Sequence, residues 1–179
     1  SSPFDSCLAD TCAVGFSLVA AYPVNCAAID CTGDGFSNSS TAGTIYTNCL
    51  SHNSGDDGFV AGGVANFVNC TADSNAGDGI DVTAATSFNL ENCALTNNTG
   101  YGANTQSLAF LSNCASYNNT AGRTSTAPLG DVGSILVTGD PYVSLAGDDF
   151  RPNATASAGA LLRATGIGVA GQTNNRDVG

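Results

Sequence analysis

Three aspartates recur at one place in a repeating pattern. Asp34, Asp57 and Asp78 each stand one residue before a glycine (Gly35, Gly58, Gly79), with Asp56 and Asp81 beside them. Carboxylates arranged in this way can do two kinds of chemistry. An oxygen-rich cluster holds calcium. A carboxylate pair roughly 5 Å apart, such as Asp57 with Asp78, has the separation used in retaining glycoside hydrolysis. A structural part competes with both, because aspartates in bends of the form Asn-x-Gly-Asp-Gly accept hydrogen bonds from turn amides.

Charge narrows the possible partners. The 179 residues carry fifteen acids, four arginines and no lysine, for a net charge of −11. Residues 1–122 hold ten of those acids and no basic residue except His52; Arg123, Arg151, Arg163 and Arg176 all follow. Nucleic acid is excluded as a partner, since phosphate contacts need a cationic face. Intrinsic disorder is excluded by 42% hydrophobic and only 11% charged residues. The longest mostly apolar run, Cys12 to Val24, contains Gly, Ser and Pro and is too short to span a bilayer. No basic start followed by an apolar stretch is visible, and eight cysteines fit an oxidising compartment. The protein is therefore read as exported, either secreted or held at the cell surface.

A repeat must position these residues. Asn-Cys recurs at Asn25-Cys26, Asn48-Cys49, Asn69-Cys70, Asn92-Cys93 and Asn113-Cys114, in steps of 23, 21, 23 and 21. Nine residues after each of the first four cysteines in that series lie Gly35, Gly58, Gly79 and Gly102, followed by Phe36, Phe59, Ile80 and Ala103. Four after each cysteine come Asp30, Asn53, Ser74, Asn97 and Asn118. All length variation falls between the glycine and the next Asn-Cys. The period is too short for a helical pair, and the apolar residues alternate in short runs bounded by Asn, Asp, Ser, Thr and Gly. Each repeat is thus one coil of an all-β parallel β-solenoid, with coils of about 21–23 residues stacked about 4.8 Å apart. The Cys and Phe/Ile columns point inward, and the Asn and Gly columns make the corners, glycine supplying positive φ. Cys7-x4-Cys12 with Gly15-Phe16 forms a shortened first coil. Residues 1–122 are the Asn-Cys coils, and residues 123–179 are C-terminal coils and a closing segment of the same domain. In that segment Ile135 to Val137 and Pro141 to Val143 are expected as strands and Ala158 to Arg163 as a helical turn.

The stretch Asn69 to Val82, NCTADSNAGDGIDV, resembles coils of exported bacterial right-handed parallel β-helix repeat proteins of the pectate-lyase-like superfamily. Asp140-Pro141-Tyr142-Val143, Asp149-Phe150-Arg151, Gly159-Ala160 and Arg176-Asp177-Val178-Gly179 resemble the closing segment of such repeats. The resemblance covers roughly residues 7–179. It implies the fold but little about the task, since this superfamily includes lyases, hydrolases, epimerases, adhesins and inert scaffolds. Its uronate lyases work with surface Arg or Lys and calcium, and residues 1–122 contain neither base. Its hydrolases carry a Gly-His-Gly type element, which Gly55-Asp56-Asp57 with His52 matches only faintly. An enzyme is the weaker reading.

Stacking makes further candidates explicit. Cys7, Cys26, Cys49, Cys70, Cys93 and Cys114 form one column, and Cys12 lies beside Cys31 in another. Neighbouring coils are within disulfide range, so the pairs Cys7–Cys26, Cys12–Cys31, Cys49–Cys70 and Cys93–Cys114 would use every cysteine. Reduced, buried thiols are the alternative. Asp34, Asp57 and Asp78 form an acidic ladder that suits either calcium or turn amides. His52 shares a column with Ile29, Asp73, Thr96 and Tyr117 and is expected at solvent or an edge. Arg151 and Arg163 are expected to pair with Asp140, Asp148 or Asp149. Of the acceptor sequons, Asn69 lies in a strand, which leaves Asn38, Asn97, Asn118 and Asn153 as glycosylation candidates. A solenoid exposes strand edges at its ends, and contacts between unlike ends do not close. The leading expectation is an extracellular structural subunit that binds itself head to tail, as a filament or surface layer. The alternative is a secreted glycan-binding or glycan-modifying module, with calcium as the one cofactor considered. A third is a piece of a larger adhesin.

Overall fold

The computed structural model describes residues 3–19, 21–82, 85–105, 109–144 and 149–165. Six complete turns of three strands are followed by two strands of a seventh. Coil 1 comprises Pro3–Asp5, Leu8–Asp10 and Phe16–Ser17; coil 2, Tyr22–Val24, Ala27–Ile29 and Phe36–Asn38; coil 3, Thr44–Thr47, Leu50–His52 and Phe59–Ala61. Coil 4 comprises Gly63–Val68, Thr71–Asp73 and Ile80–Asp81; coil 5, Ala85–Glu91, Ala94–Thr96 and Tyr101–Asn104; coil 6, Ala109–Ser112, Ala115–Tyr117 and Gly122–Thr124. Coil 7 has Gly130–Val132 and Ile135–Leu136. Equivalent strands pair in parallel, giving a first and a second sheet of seven strands and a third of six.

Two corners of every complete coil are left-handed. Asn25, Asn48, Asn69, Asn92 and Asn113 have φ of 50–54°, and Asp30, Asn53, Ser74, Asn97 and Asn118 have φ of 50–57°. Ser6 and Thr11 hold the same places in coil 1. Asparagine and aspartate tolerate this region because a short polar side chain bonds locally. Here the side chains also link coils: Asn48 Nδ2 donates to Asn25 Oδ1 at 2.6 Å, and Asn53 Nδ2 to Asp30 Oδ1 at 2.7 Å. The expectation that the glycine column supplies positive φ is corrected, since Gly35, Gly58, Gly79 and Gly102 are not in that region. They are required by close approach. A Cβ on Gly58 would lie 2.5 Å from the Gly79 carbonyl oxygen and 2.7 Å from Asn75 Nδ2.

The core is built of columns. Phe16, Phe36 and Phe59 stack with centroids 4.8 and 4.7 Å apart, and Tyr46 stacks on Phe67 at 4.6 Å. The two columns meet edge to face, Phe36 against Tyr46 at 87°, the geometry that aromatic quadrupoles favour. Beside them run Cys26, Cys49, Cys70, Cys93 and Cys114, all buried.

The closing segment leaves the coil path. Tyr142–Ser144 pairs antiparallel with Asp149–Pro152, and a helix follows at Gly159–Thr165. This strap lies on the outer face of the second sheet, where Tyr142, Phe150 and Leu162 pack with Ala27, Ile29, Leu50, Ala94 and Ala115. Over coils 2–5 the second sheet is therefore buried on both faces, as the Ala27–Ile29, Leu50–His52, Thr71–Asp73 and Ala94–Thr96 strands show residue by residue.

Candidate functional site

The acidic corner lies just before the third sheet. Asp57 Oδ1 accepts from the Asp78 backbone N–H at 2.6 Å, and Asp78 Oδ1 accepts from that of Tyr101 at 2.6 Å. Each carboxylate thus receives an amide of the next coil. Asp34, Asp56 and Asp57 converge, one oxygen of each lying within 4.8 Å of the others. That donor set suits a hard divalent cation, and Asp56 rather than Asp78 completes it. Burial pushes Asp57 up to about 7, with Asp81, Asp78 and Asp56 adding to the shift and the Asp78 amide opposing it. Because the folded state holds this proton more tightly than the unfolded chain, the stabilisation is complete below about pH 4 and is lost as pH rises through about 7. Asp57→Asn keeps the accepting oxygen and removes the charge. In thermal melts with chelator it is expected to match the wild type near pH 4 and exceed it above pH 7.

His52 is not at solvent or an edge, which corrects the expectation for it: it is 8% exposed and lies beneath the strap. Its ring meets Phe150 edge-on, with centroids 4.9 Å apart, and Nδ1 is 3.1 Å from Asp73 Oδ2. Asp73 is fully buried. It also accepts from Ser74 Oγ at 2.7 Å, Thr96 Oγ1 at 2.5 Å and Asn97 Nδ2 at 2.9 Å. Thr96 in turn shares a hydrogen bond of 3.0 Å with the Tyr142 hydroxyl. Sequence reasoning placed His52, Asp73 and Thr96 in one column but missed the cover, which comes from a segment 46 residues beyond Thr96 at Tyr142 and 98 beyond His52 at Phe150.

All eight cysteines are thiols in the structure, so the four expected bridges are not made there. In the long column each sulfur is turned onto carbonyls. Cys70 Sγ, for example, donates toward Val68 O and Tyr46 O, both at 3.5 Å. Burial pushes the Cys70 thiol well above its ordinary range. Among the sequons, Asn38 is fully buried with its amide donating to Thr44, which leaves no room for a glycan. Asn153 uses its amide to clamp the strap, donating to Asp140 O and Tyr142 O at 2.6 and 2.9 Å. Asn97 is half-buried and engaged with Asp73, while Asn118 is exposed. Arg151 grips Asp149 through two hydrogen bonds of 2.8 and 2.6 Å, and Arg123 pairs with Asp131. The side chain of Arg163, along with Asp148 and Arg176, lies outside the described residues.

The outer face of the first sheet carries a feature not expected from the sequence. A groove of about 680 Å³ crosses five coils. In-register pairing sets Ile45, Asn66, Asn89, Phe110 and Gly130 in one row. Thr47, Val68, Glu91, Ser112 and Val132 form the next. Asn89 Nδ2 donates to Asn66 Oδ1 at 2.9 Å, and Phe110 beside them is 51% exposed. Among the described residues, Glu91 is the one charged residue of the lining. Strand alternation could have found the first row, because Ile45 and Phe110 neighbour the inward Tyr46 and Leu111.

A family model for the right-handed β-helix region matches residues 22–150. Comparison with curated proteins and with solved structures gave no match. The match begins at the first strand of coil 2 and reaches Phe150 in the strap. With three parallel sheets wound as repeated coils over the same span, the chain belongs to the right-handed β-helix family.

Proposed function

We propose that this chain is an exported module that binds a neutral glycan along the outer face of its first sheet. The groove across coils 3–7 carries the reading. An exposed aromatic ring gives a stacking platform for the apolar face of a sugar, and the amides of Asn66 and Asn89 with the Glu91 carboxylate offer donors and acceptors for hydroxyls. Among the described residues no Lys or Arg lines it, so an anionic polysaccharide meets no complementary charge there. Affinity electrophoresis through soluble β-glucan, xylan, mannan and polygalacturonate tests this. Retardation by at least one neutral polymer is expected, weakened roughly tenfold by Phe110→Ala, a change of about 1.4 kcal/mol at a half-exposed position. Migration unchanged in every neutral gel, or retardation indifferent to Phe110, would overturn it.

A second reading, a subunit that assembles head to tail into a filament or surface layer, is favoured by the two ends. Among the described residues the three strands of coil 1 are edge strands, and Leu129, Val132 and Leu136 are exposed near coil 7. Electron microscopy of the ligand-free protein separates the two readings: filaments support assembly, and dispersed particles remove it.

A further inference from the structure

One column of side chains ties the coils together at the second left-handed corner. The residue after each corner position is Cys12, Cys31, Ser54, Asn75, Asn98 and Asn119 in coils 1 to 6. In the later coils these side chains bridge neighbours. Asn75 Nδ2 donates to Asn98 Oδ1 at 2.9 Å, Asn98 Nδ2 donates to Asn119 Oδ1 at 2.8 Å, and Asn75 Oδ1 accepts from the Ser54 backbone N–H at 3.1 Å. In coils 1 and 2 the same places hold two cysteines whose sulfurs are 3.1 Å apart. The flanking backbone is held in register, Thr32 N donating to Cys12 O and Gly33 N to Ala13 O, both at 2.8 Å.

We infer that Cys12 and Cys31 form the disulfide of this protein, a covalent rung where the other coils use amides, while the six cysteines of the long column stay reduced. Two differences between the columns support this. Cys12 is only half-buried, so an oxidant can reach it; in the long column Cys7 alone is half-buried, and its neighbour Cys26, like Cys49, Cys70 and Cys93, has no exposed surface and is directed at carbonyls. The long column also repeats evenly on successive strands about 4.8 Å apart. Its thiols are directed at carbonyls of their own and of earlier turns, as for Cys49 with Thr47 O at 3.4 Å and Pro23 O at 3.5 Å. An evenly spaced stack gives no sulfur a preferred partner, and a bridge would pull two of them off those carbonyls.

The oxidant is a small-molecule disulfide such as glutathione disulfide. The Cys12 thiolate attacks one of its sulfurs, forming a mixed disulfide and releasing one glutathione thiolate. The Cys31 thiolate then attacks the Cys12 sulfur and releases the second. Two protein thiols lose two protons and two electrons, and one disulfide becomes two thiols.

The test treats the folded protein with glutathione disulfide, then unfolds it in N-ethylmaleimide and maps the peptides by mass spectrometry. One linked pair, Cys12–Cys31, with six labelled cysteines is expected. A phosphine reductant should then lower the melting temperature of the oxidised wild type by roughly 5 °C and leave Cys12→Ser unmoved. Eight labelled cysteines, or a linkage within the long column formed as readily as Cys12–Cys31, would overturn the inference. The wild-type map decides it even if the variant fails to fold.

Discussion

Asp73→Ala is expected to lower the free energy of unfolding by about 4 kcal/mol, read from the shift of a urea midpoint at unchanged slope. The carboxylate is fully buried and takes hydrogen bonds from Ser74, Thr96 and Asn97, with His52 Nδ1 at 3.1 Å. Alanine removes the acceptor and leaves those polar groups in place, which is the costly way to break a buried network. Thr96→Val removes one donor together with the Tyr142 contact and should cost only about 1 kcal/mol. The strap supplies an independent readout. Every arginine lies at or beyond residue 123, the chain has no lysine, and Arg151 is followed by Pro152, a bond trypsin does not cut, so the sites are Arg123 in coil 6 and Arg163 and Arg176 after it. In Asp73→Ala, cleavage after Arg163, in the helix Gly159–Thr165 that follows the strand pair, should accelerate before the coils unfold. A midpoint shift worth less than about 1 kcal/mol would mean that the network does not hold the strap down.

Gly79→Ala is the second large effect, about 3 kcal/mol of destabilisation. The added Cβ would lie 2.5 Å from the Gly102 carbonyl oxygen, 2.7 Å from Asn98 Nδ2 and 3.2 Å from Ala72 Cβ. Two of these belong to the next coil, and the carbonyl is main chain within the strand Tyr101–Asn104. Gly79 does not have positive φ, so the loss isolates packing from conformational strain. Gly43→Ala is the control. Its Cβ would find its nearest neighbour 3.5 Å away, at Val64 O, and the change should be neutral or slightly stabilising through the unfolded chain. Equal urea midpoints for the two variants would contradict this account.

The coils were legible because each residue type answers to one place in the turn. Asparagine before cysteine marks a left-handed corner, and Phe36 and Phe59 after the glycine mark the inward column. The glycine's own part was not legible, because close approach between coils and positive φ leave the same mark on a sequence. The strap was hidden for a different reason. Ala27, Leu50, Ala94 and Ala115 lie on the outer face of the second sheet, and their apolar character at the first outward position of successive strands was the available sign that something covers them. What covers them is settled by Tyr142, Phe150 and Leu162, whose placement depends on tertiary packing rather than on any local pattern. The groove fell between these cases. Phe110 was readable as outward, but whether an outward row stays open is decided by where the strap settles.

The five-residue spacing between the two left-handed corners is the same in every coil from Ser6–Thr11 to Asn113–Asn118, while the connection from the third sheet to the next coil runs from one residue, Gly62, to five, 39–43. From coil 2 onward, growth is therefore confined to a single seam along the solenoid. Foreign peptides grafted into that seam, between Asn38 and Thr44 or between Thr124 and Gly130, would be displayed in file on one edge of a rigid rod, their spacing set by the number of coils between them.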